Sequence, residues 1–220
     1  MISLFKLLRF LGPTLLFFGT FVVLPPLALS YFNNIPDAQL LNIYLGCIAY
    51  SIVIFFTLRQ RKFSYSPKDG FVITFLTWVM ISLLASLPFQ NANMVFYDAL
   101  FEAVSGLTTT GSTVIKDLSL FPDHILLYRQ LLQWAGGVGL VIVVLAIIPA
   151  VSGGMKVLQA ETSGFADKSF SPRLRETARS LLKFYALITI ACVFSYWLVG
   201  MTWFEAFSHS FSTVSIGGFS

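Results

Sequence analysis

The sequence has 220 residues, of which 56% are hydrophobic and only 11% are charged, and its mean hydropathy is +0.80. An ordinary soluble domain is about 25% charged, so this composition excludes a water-soluble globule and favours a membrane protein of about five spanning helices. The net charge of +4 does not indicate a nucleic acid partner, because the basic residues lie between apolar stretches and not in one polar domain. Membrane lipid is the partner that the composition predicts.

Five apolar stretches are predicted to be membrane helices, at about residues 7–32, 40–58, 70–89, 125–151 and 181–201. The first is longer than the apolar core of a signal peptide, so we expect it to be retained. Pro25 and Pro26 predict a kink or a break within it. Residues 90–123 and the segment after the fifth span are too polar to face lipid throughout.

The lysines and arginines of the connections predict the orientation of the chain. Basic residues precede the first span and occupy every second connection: Lys6, Arg9, Arg59, Arg61, Lys62, Lys68, Lys156, Lys168, Arg173, Arg175, Arg179 and Lys183. The loop of residues 31–39 has no basic residue, and residues 90–123 contain only Lys116. Since short basic connections stay in the cytoplasm, we expect a cytoplasmic N-terminus and two polar segments on the outer side.

An internal repeat relates these two polar segments. A shift of 107 residues lays Met94–Ser112 over Met201–Phe219 without a gap, and four pairs are identical: Met94 and Met201, Ala99 and Ala206, Ser105 and Ser212, Gly111 and Gly218. Each copy is predicted to be a helix of about ten residues followed by a glycine-containing turn. Asp98 and Glu205 lie in the first turns, where a carboxylate suits the positive end of a helix. A helix this short cannot cross a bilayer.

Such segments predict two re-entrant loops that line a pore, because irregular backbone at membrane depth must be buried or face water. Backbone carbonyls can replace the hydration shell of K⁺ without burying a net charge. Gly111 and Gly218 allow the dihedral angles that turn successive carbonyls to one side, and Thr108–Thr110 add stiffness and hydroxyl oxygens. The alternative is an ordinary extracellular turn rich in Thr, Ser and Gly, which one copy alone would favour and two copies disfavour.

These residues resemble a known family. Phe101–Gly111 is similar to the first pore loop of the TrkH/TrkG family of bacterial K⁺-uptake subunits, and His209–Ser220 is similar to the second. Tyr128–Gly137 resembles the span that follows the first loop, and Gly153–Met155 and Arg175–Ala178 also resemble that family.

The resemblance implies an all-α polytopic membrane fold, with two extra N-terminal helices before helix–pore-loop–helix repeats around one pathway. The expected divisions are residues 1–69 for the two extra helices and a cytoplasmic loop, 70–151 for the first repeat, 152–180 for a cytoplasmic loop, and 181–220 for the start of the second repeat. The second inner helix is not in this sequence. The family has four loops and this sequence has two, so we expect a truncated chain.

The resemblance also implies the function and its residues. K⁺ is expected as the transported ion, with no organic cofactor, in a bacterial inner membrane. The implied ligands are backbone carbonyls around Thr109, Thr110, Gly111, Ile216, Gly217 and Gly218. A homodimer and a cytoplasmic nucleotide-binding ring of the TrkA type are the implied protein partners. The motifs agree with a channel and with a symporter.

Two ionisable residues near the membrane need an explanation, because such groups normally have partners. We hypothesise that Glu102, or else Asp98, pairs with Arg129 and braces the first loop. The alternative is that the groups extend separately to the outer interface.

Gly136-Gly137-Val138-Gly139 lacks the strand and the spacing of a nucleotide-binding loop, so it predicts close helix packing instead. A membrane enzyme is disfavoured, because no base follows Thr108–Thr110 at a plausible local spacing. A non-conducting membrane scaffold remains an alternative.

Overall fold

The computed structural model describes residues 4–60, 67–151 and 166–219. Its helices are α1 Leu4–Phe17, a π-helical segment Phe18–Val23, α2 Leu24–Phe32, α3 Ala38–Leu58, α4 Pro67–Asn91, α5 Phe96–Leu107, a 3₁₀ turn Leu118–Leu120, α6 Asp123–Val151, α7 Ala166–Leu198 and α8 Trp203–Val214. The described ranges contain no strand, which confirms the all-α prediction. Arg61, Lys62, Lys156, the Gly153–Met155 motif and Ser220 lie outside the described residues.

Four helical stretches within these ranges are long and apolar enough to cross a membrane: Leu4–Phe32, Ala38–Leu58, Asp69–Asn91 and Glu176–Leu198. They correspond to the first, second, third and fifth predicted spans. The remaining predicted span is covered by α6, which has 29 residues. The polytopic architecture is therefore confirmed.

The first span does not break at its two prolines. The N–H of Leu24 donates to the carbonyl of Gly19, which is the wider spacing of a π-helix, and Pro25 and Pro26 then stand in the first turn of α2. Proline is tolerated there because the first turn of a helix needs no partner for its N–H groups. The helical path consequently runs from Leu4 to Phe32.

The central helix of the described structure is α6. It packs against α2, α5, α7 and α8, whereas α1 lies along α3, α4 against α5, and α7 against α8. Its buried side chains Tyr128, Leu131 and Leu132 belong to a core shared with the first span and with α5. Large apolar side chains are exposed along α3 and α7, as lipid-facing helices require.

A polar junction ties the connection between the first two spans to α4 and α6. Asp37 accepts hydrogen bonds from the backbone N–H groups of Gln39 and Leu40 and from the amide of Asn91, and it lies 3.5 Å from Nε2 of His124. Burial by itself raises the pKa of Asp37, but the contacts with His124, the two backbone N–H groups and Asn91 outweigh burial and hold that pKa below its ordinary value. The junction therefore favours an ionised carboxylate.

The internal repeat is present in the helices as well as in the sequence. Helices α4 and α7 end at Asn91 and Leu198, and the helices that follow them, α5 and α8, have 12 residues each. All these boundaries differ by the shift found in the sequence. The difference between the copies is that α7 begins at Ala166, inside the segment expected to be a cytoplasmic loop.

Candidate functional site

The two short helices end in the same hydrogen-bonded turn. After α5, the N–H of Thr109 donates to Gly106 at 3.0 Å and the N–H of Thr110 donates to Ser105 at 2.9 Å. After α8, Ile216 donates to Thr213 at 3.0 Å and Gly217 donates to Ser212 at 2.9 Å. These bonds form the Schellman motif, which normally places glycine at the position that Thr109 and Ile216 occupy. Each loop thus begins at the negative end of a short helix.

Both loops contain a β-branched residue in the left-handed region. The φ angles are 55° at Thr109 and 57° at Ile216, and 73° at both Gly111 and Gly218. A left-handed conformation costs a residue other than glycine about 1–2 kcal/mol, and such strain is concentrated at functional sites. The side chain of Ile216 is 91% exposed, so packing of that side chain does not explain its conformation. The two loops therefore share a strained backbone conformation.

The two loops touch each other through their backbones. A β-carbon added to Gly111 would overlap the carbonyl oxygen of Gly217, so only glycine fits at Gly111. A β-carbon on Gly218 would meet nothing within 4 Å. The structure therefore brings Gly111 of the first loop against Gly217 of the second, two of the residues that the resemblance implied as ligands, although they lie about a hundred residues apart in the chain.

A buried ion pair lies behind the first loop. Nε of Arg129 is 2.7 Å from Oε1 of Glu102, and the two residues are 1% and 0% exposed. Glu102 also accepts hydrogen bonds from the hydroxyl of Thr113 at 2.7 Å and from the N–H of Val114 at 3.3 Å. The predicted pair of Glu102 and Arg129 is present, and the alternative of two separate groups at the interface is wrong. Asp98 is exposed in the first turn of α5.

The same face of α6 also holds the second loop. Nη1 of Arg129 and Nε2 of Gln130 each donate to the carbonyl of Phe219 at 2.8 Å. The N–H of Phe219 donates to Oε1 of Gln133 at 3.4 Å, and the guanidinium of Arg129 lies 3.8 Å from the centroid of the Phe219 ring.

Gln130 and Gln133 are supporting residues that the sequence analysis missed. The signal that could have found them is the helical spacing of Gln133, which follows Arg129 by four residues and Gln130 by three in an apolar span, since positions three and four apart on a helix are neighbours.

The glycines of α6 allow this close approach. A β-carbon on Gly136 would overlap the carbonyl oxygen of Leu107, the last residue of α5, and one on Gly137 would lie 3.3 Å from Cβ of Ser215. The predicted role of this glycine run in close helix packing is confirmed, since both residues lie inside α6.

The starts of the two short helices differ. Thr202 caps α8 with a capping box, in which its hydroxyl accepts from the N–H of Glu205 and the carboxylate of Glu205 accepts from the N–H of Thr202. Val95 precedes α5 and offers no side-chain cap. Glu205 and Asp98 both lie at the positive ends of their helices, as predicted.

Comparisons with known proteins agree with this architecture. Residues 37–220 match the TrkH family, described as cation transport proteins. The chain is 41% identical to the Trk system potassium uptake protein TrkH of Halomonas elongata, and the match covers 99% of this chain and 46% of that protein. It is 37% identical to TrkG of Escherichia coli K12, over 90% of this chain and 42% of that protein.

A solved structure has the same fold. The crystal structure of the potassium transporter TrkH from Vibrio parahaemolyticus is 36% identical, with a TM-score of 0.80, and the match covers 99% of this chain and 44% of that one. The chain thus spans a little less than half the length of the relatives it matches. The relatives are named as transport proteins, which gives no support to the alternative of a membrane enzyme. On the extent of these matches, the chain belongs to the TrkH family of cation transport proteins.

Proposed function

We propose that this chain contributes two of the loops that surround a K⁺ pathway across the bacterial inner membrane. The observation that carries the proposal is the pair of identical strained turns, which meet where Gly111 lies against the carbonyl of Gly217. The relatives are named as potassium uptake proteins, which supports K⁺ as the ion.

The ion is held by backbone oxygens. The carbonyls of Thr109, Thr110 and Gly111 in the first loop, and those of Ile216, Gly217 and Gly218 in the second, replace part of the hydration shell of K⁺. The left-handed residues alternate with ordinary ones, which redirects successive carbonyls within a few residues. The negative ends of α5 and α8 add a favourable potential for a cation without a buried carboxylate at the ion itself.

The buried ion pair keeps the loops in place. Glu102 and Arg129 are both withdrawn from water, so each depends on the other for compensation of its charge. Through Arg129 the pair reaches the carbonyl of Phe219, and through Glu102 it reaches Thr113. Asp98 and Glu205 stabilise the starts of the two short helices. All four residues position the backbone and do not bind the ion.

The chain is arranged in the membrane with its N-terminus in the cytoplasm. Residues 1–69 then form two extra helices and a connection, 70–151 the first repeat, 152–180 a cytoplasmic connection and 181–220 the start of the second repeat. The basic residues between the repeats support this orientation. We also propose that the protein forms a homodimer and that a TrkA-type nucleotide-binding ring binds to its cytoplasmic face.

Rubidium uptake tests the filter assignment. The full-length protein is expressed in cells deficient in K⁺ uptake, with Gly111→Ser, Gly218→Ser or the control Gly46→Ser, a position in α3 where a β-carbon meets nothing within 4 Å. We expect uptake to be lost in the first two variants and retained in the control, with equal amounts of protein in the membrane. Uptake at the wild-type rate in both filter variants would overturn the proposal.

The 220-residue chain provides a second test. Two loops cannot surround an ion, so we expect the chain expressed alone to transport no rubidium. Uptake by the chain alone would contradict the proposal that further loops complete the filter.

A further inference from the structure

The side-chain amide of Gln133 lies directly against the backbone of the second loop. Gln133 is 0% exposed inside α6, and Gly217 is also buried. A β-carbon added to Gly217 would lie 2.4 Å from both Cδ and Nε2 of Gln133 and 2.6 Å from its Oε1. These are the three nearest atoms, and the φ angle of Gly217 lies outside the left-handed region. The amide of Gln133 is therefore what excludes a side chain at Gly217.

This amide stands where the first loop has a side chain of its own. The shift that relates the two loops in the sequence aligns Gly217 with Thr110. The hydroxyl of Thr110 lies 2.8 Å from the hydroxyl of Thr108, within the first loop. The second loop has no β-carbon at the aligned position, and a side chain from the first repeat fills the space beside it. The second loop thus depends on α6 for a contact that the first loop makes by itself.

Gly217 is confined by two neighbours. One is the amide of Gln133, and the other is Gly111 of the first loop, where an added β-carbon would overlap the carbonyl oxygen of Gly217. Since packed atoms cannot overlap, Gly217 cannot approach either neighbour. The length of the Gln133 side chain therefore helps to set the distance between the two loops.

Stability does not account for an amide at this place. Oε1 of Gln133 accepts from the N–H of Phe219 at 3.4 Å, which is long for a hydrogen bond, and Nε2 is buried without a hydrogen-bond partner among the described residues. A buried polar atom without a partner costs about 1–3 kcal/mol. An apolar side chain of the same length would avoid that cost, so the amide needs an explanation other than stability.

We propose that Gln133 is a positioning residue that determines ion selectivity, because its amide holds the carbonyl of Gly217 at the distance from the first loop that suits K⁺. The inference rests on the proposed function, in which that carbonyl is one of the ligands of the ion. Discrimination between K⁺ and Na⁺ follows from the size of a carbonyl site or from the number of carbonyls that reach the ion, and movement of Gly217 changes both. A shorter side chain at Gln133 frees Gly217 to move, and the looser site then accepts the smaller Na⁺.

Competition between ions for uptake by the full-length protein tests this inference. Gln133→Asn keeps the amide and shortens the side chain by one methylene, and the control Gln90→Asn makes the same change in α4, where the amide donates to Ser86. Rubidium uptake is measured with increasing Na⁺ or K⁺. We expect Na⁺ to inhibit about fivefold more strongly relative to K⁺ in Gln133→Asn, a change of about 1 kcal/mol in relative ion affinity. The control should keep the wild-type ratio at an equal amount of protein in the membrane.

Two further arms test the contact itself. Gly217→Ala places a methyl group against the amide of Gln133, so rubidium uptake should be lost. Gln133→Ala removes that amide, and the double variant Gly217→Ala/Gln133→Ala should recover part of the uptake and part of the unfolding temperature lost in Gly217→Ala. Gln133→Met keeps the length of the side chain without the amide, and it should change the ratio of Na⁺ to K⁺ inhibition less than Gln133→Asn does.

The outcomes separate this inference from the proposed filter. An unchanged inhibition ratio in Gln133→Asn, with uptake still lost in Gly111→Ser, would reject the role of Gln133 and leave the filter intact. Wild-type uptake in both Gly111→Ser and Gly218→Ser would reject the filter, and the role of Gln133 with it. A larger change in Gln133→Met than in Gln133→Asn would show that the bond to Phe219 matters and the length of the side chain does not.

Stability provides the test if Gln133→Asn does not accumulate in the membrane. The unfolding temperatures of Gly217→Ala, Gln133→Ala and their double variant are then measured in detergent. Partial recovery in the double variant supports the contact, whereas losses that simply add would exclude it, because residues that do not touch have additive effects.

Discussion

The two pore loops have the same backbone but different side-chain support. In the first loop, Glu102 is bound by Arg129, and the carbonyl of Ser112 accepts from the hydroxyl of Ser105 at 2.6 Å. In the second loop, His209 stands at the position of Glu102, and the carbonyl of Phe219 accepts from Arg129 and Gln130 of the first repeat. The shared element is the helix-ending turn, and the side chains that secure it differ.

Both loops are supported by the same helix, α6. Helix α6 belongs to the first repeat in sequence, yet its polar face contacts both loops, through Glu102 on one side and Phe219 on the other. A change on this face should therefore disturb both loops, whereas a change at His209 should disturb the second loop alone. Variants at equivalent positions of the repeat can test this difference.

The largest effect is expected at Arg129. Arg129→Gln leaves Glu102 buried without its counter-charge and removes one donor to Phe219, and breaking a buried ion pair costs about 3–5 kcal/mol. We expect a large fall in the unfolding temperature of the chain in detergent and loss of rubidium uptake by the full-length protein. His209→Asn, at the position equivalent to Glu102, should have a much smaller effect on both.

The charge-swapped variant Glu102→Arg/Arg129→Glu addresses the pair itself. Partial recovery of stability relative to the single variants is expected, because the pair is re-formed in the same buried place. Equal destabilisation by Arg129→Gln and His209→Asn, with no recovery in the swap, would contradict the role given to the pair.

The next largest effect is expected at Gly111. Alanine at Gly111 or at Gly218 incurs the cost of a positive φ, about 1–2 kcal/mol. At Gly111 alone, the new β-carbon also overlaps the backbone of the other loop, whereas at Gly218 it meets nothing within 4 Å. Thermal unfolding of the 220-residue chain should therefore rank Gly111→Ala as clearly more damaging than Gly218→Ala. The reverse order would exclude the contact between the loops.

A smaller difference is expected between the neighbouring glycines of α6. The added β-carbon of Gly136→Ala overlaps the carbonyl of Leu107, which is backbone and cannot rotate away. In Gly137→Ala the closest atom is the hydroxyl of Tyr185 at 2.5 Å, the far end of a side chain that can move. We expect Gly136→Ala to lower the unfolding temperature more than Gly137→Ala. Proteolysis of the first loop should rise in Gly136→Ala, and similar effects of both substitutions would argue against close packing of α5 on α6.

The sequence predicted the elements whose causes are local. Apolar runs gave the spans, and the pattern of Met94–Ser112 and Met201–Phe219 gave the two short helices and their loops. The partner of Arg129 was also predictable from the sequence, because a charge at membrane depth needs an opposite charge nearby. These predictions depend on composition, spacing and solvation, which a sequence displays directly.

Other features were not predicted, because they depend on backbone conformation and on contacts with backbone atoms that a side-chain pattern does not display. Gln130 and Gln133 bind the backbone of Phe219, and no side-chain pattern identifies a carbonyl or an N–H as the partner. The left-handed conformations of Thr109 and Ile216 oppose the local preference of β-branched residues, so local reasoning excludes them. Pro25 and Pro26 predicted a kink or a break, and the preceding π-helical segment avoids the break.

The smallest expected effect concerns the starts of the short helices, where the second copy has a cap that the first lacks. Thr202→Ala removes the capping box of α8 and should destabilise the chain by about 1 kcal/mol. Val95→Ser supplies a capping hydroxyl to α5, with Asp98 three residues later in place of Glu205, and should stabilise it by somewhat less. Thermal unfolding in detergent measures both changes. Opposite signs at these equivalent positions would show that the two short helices follow the same capping rules, whereas no change at either position would show that burial against α6 alone fixes their starts.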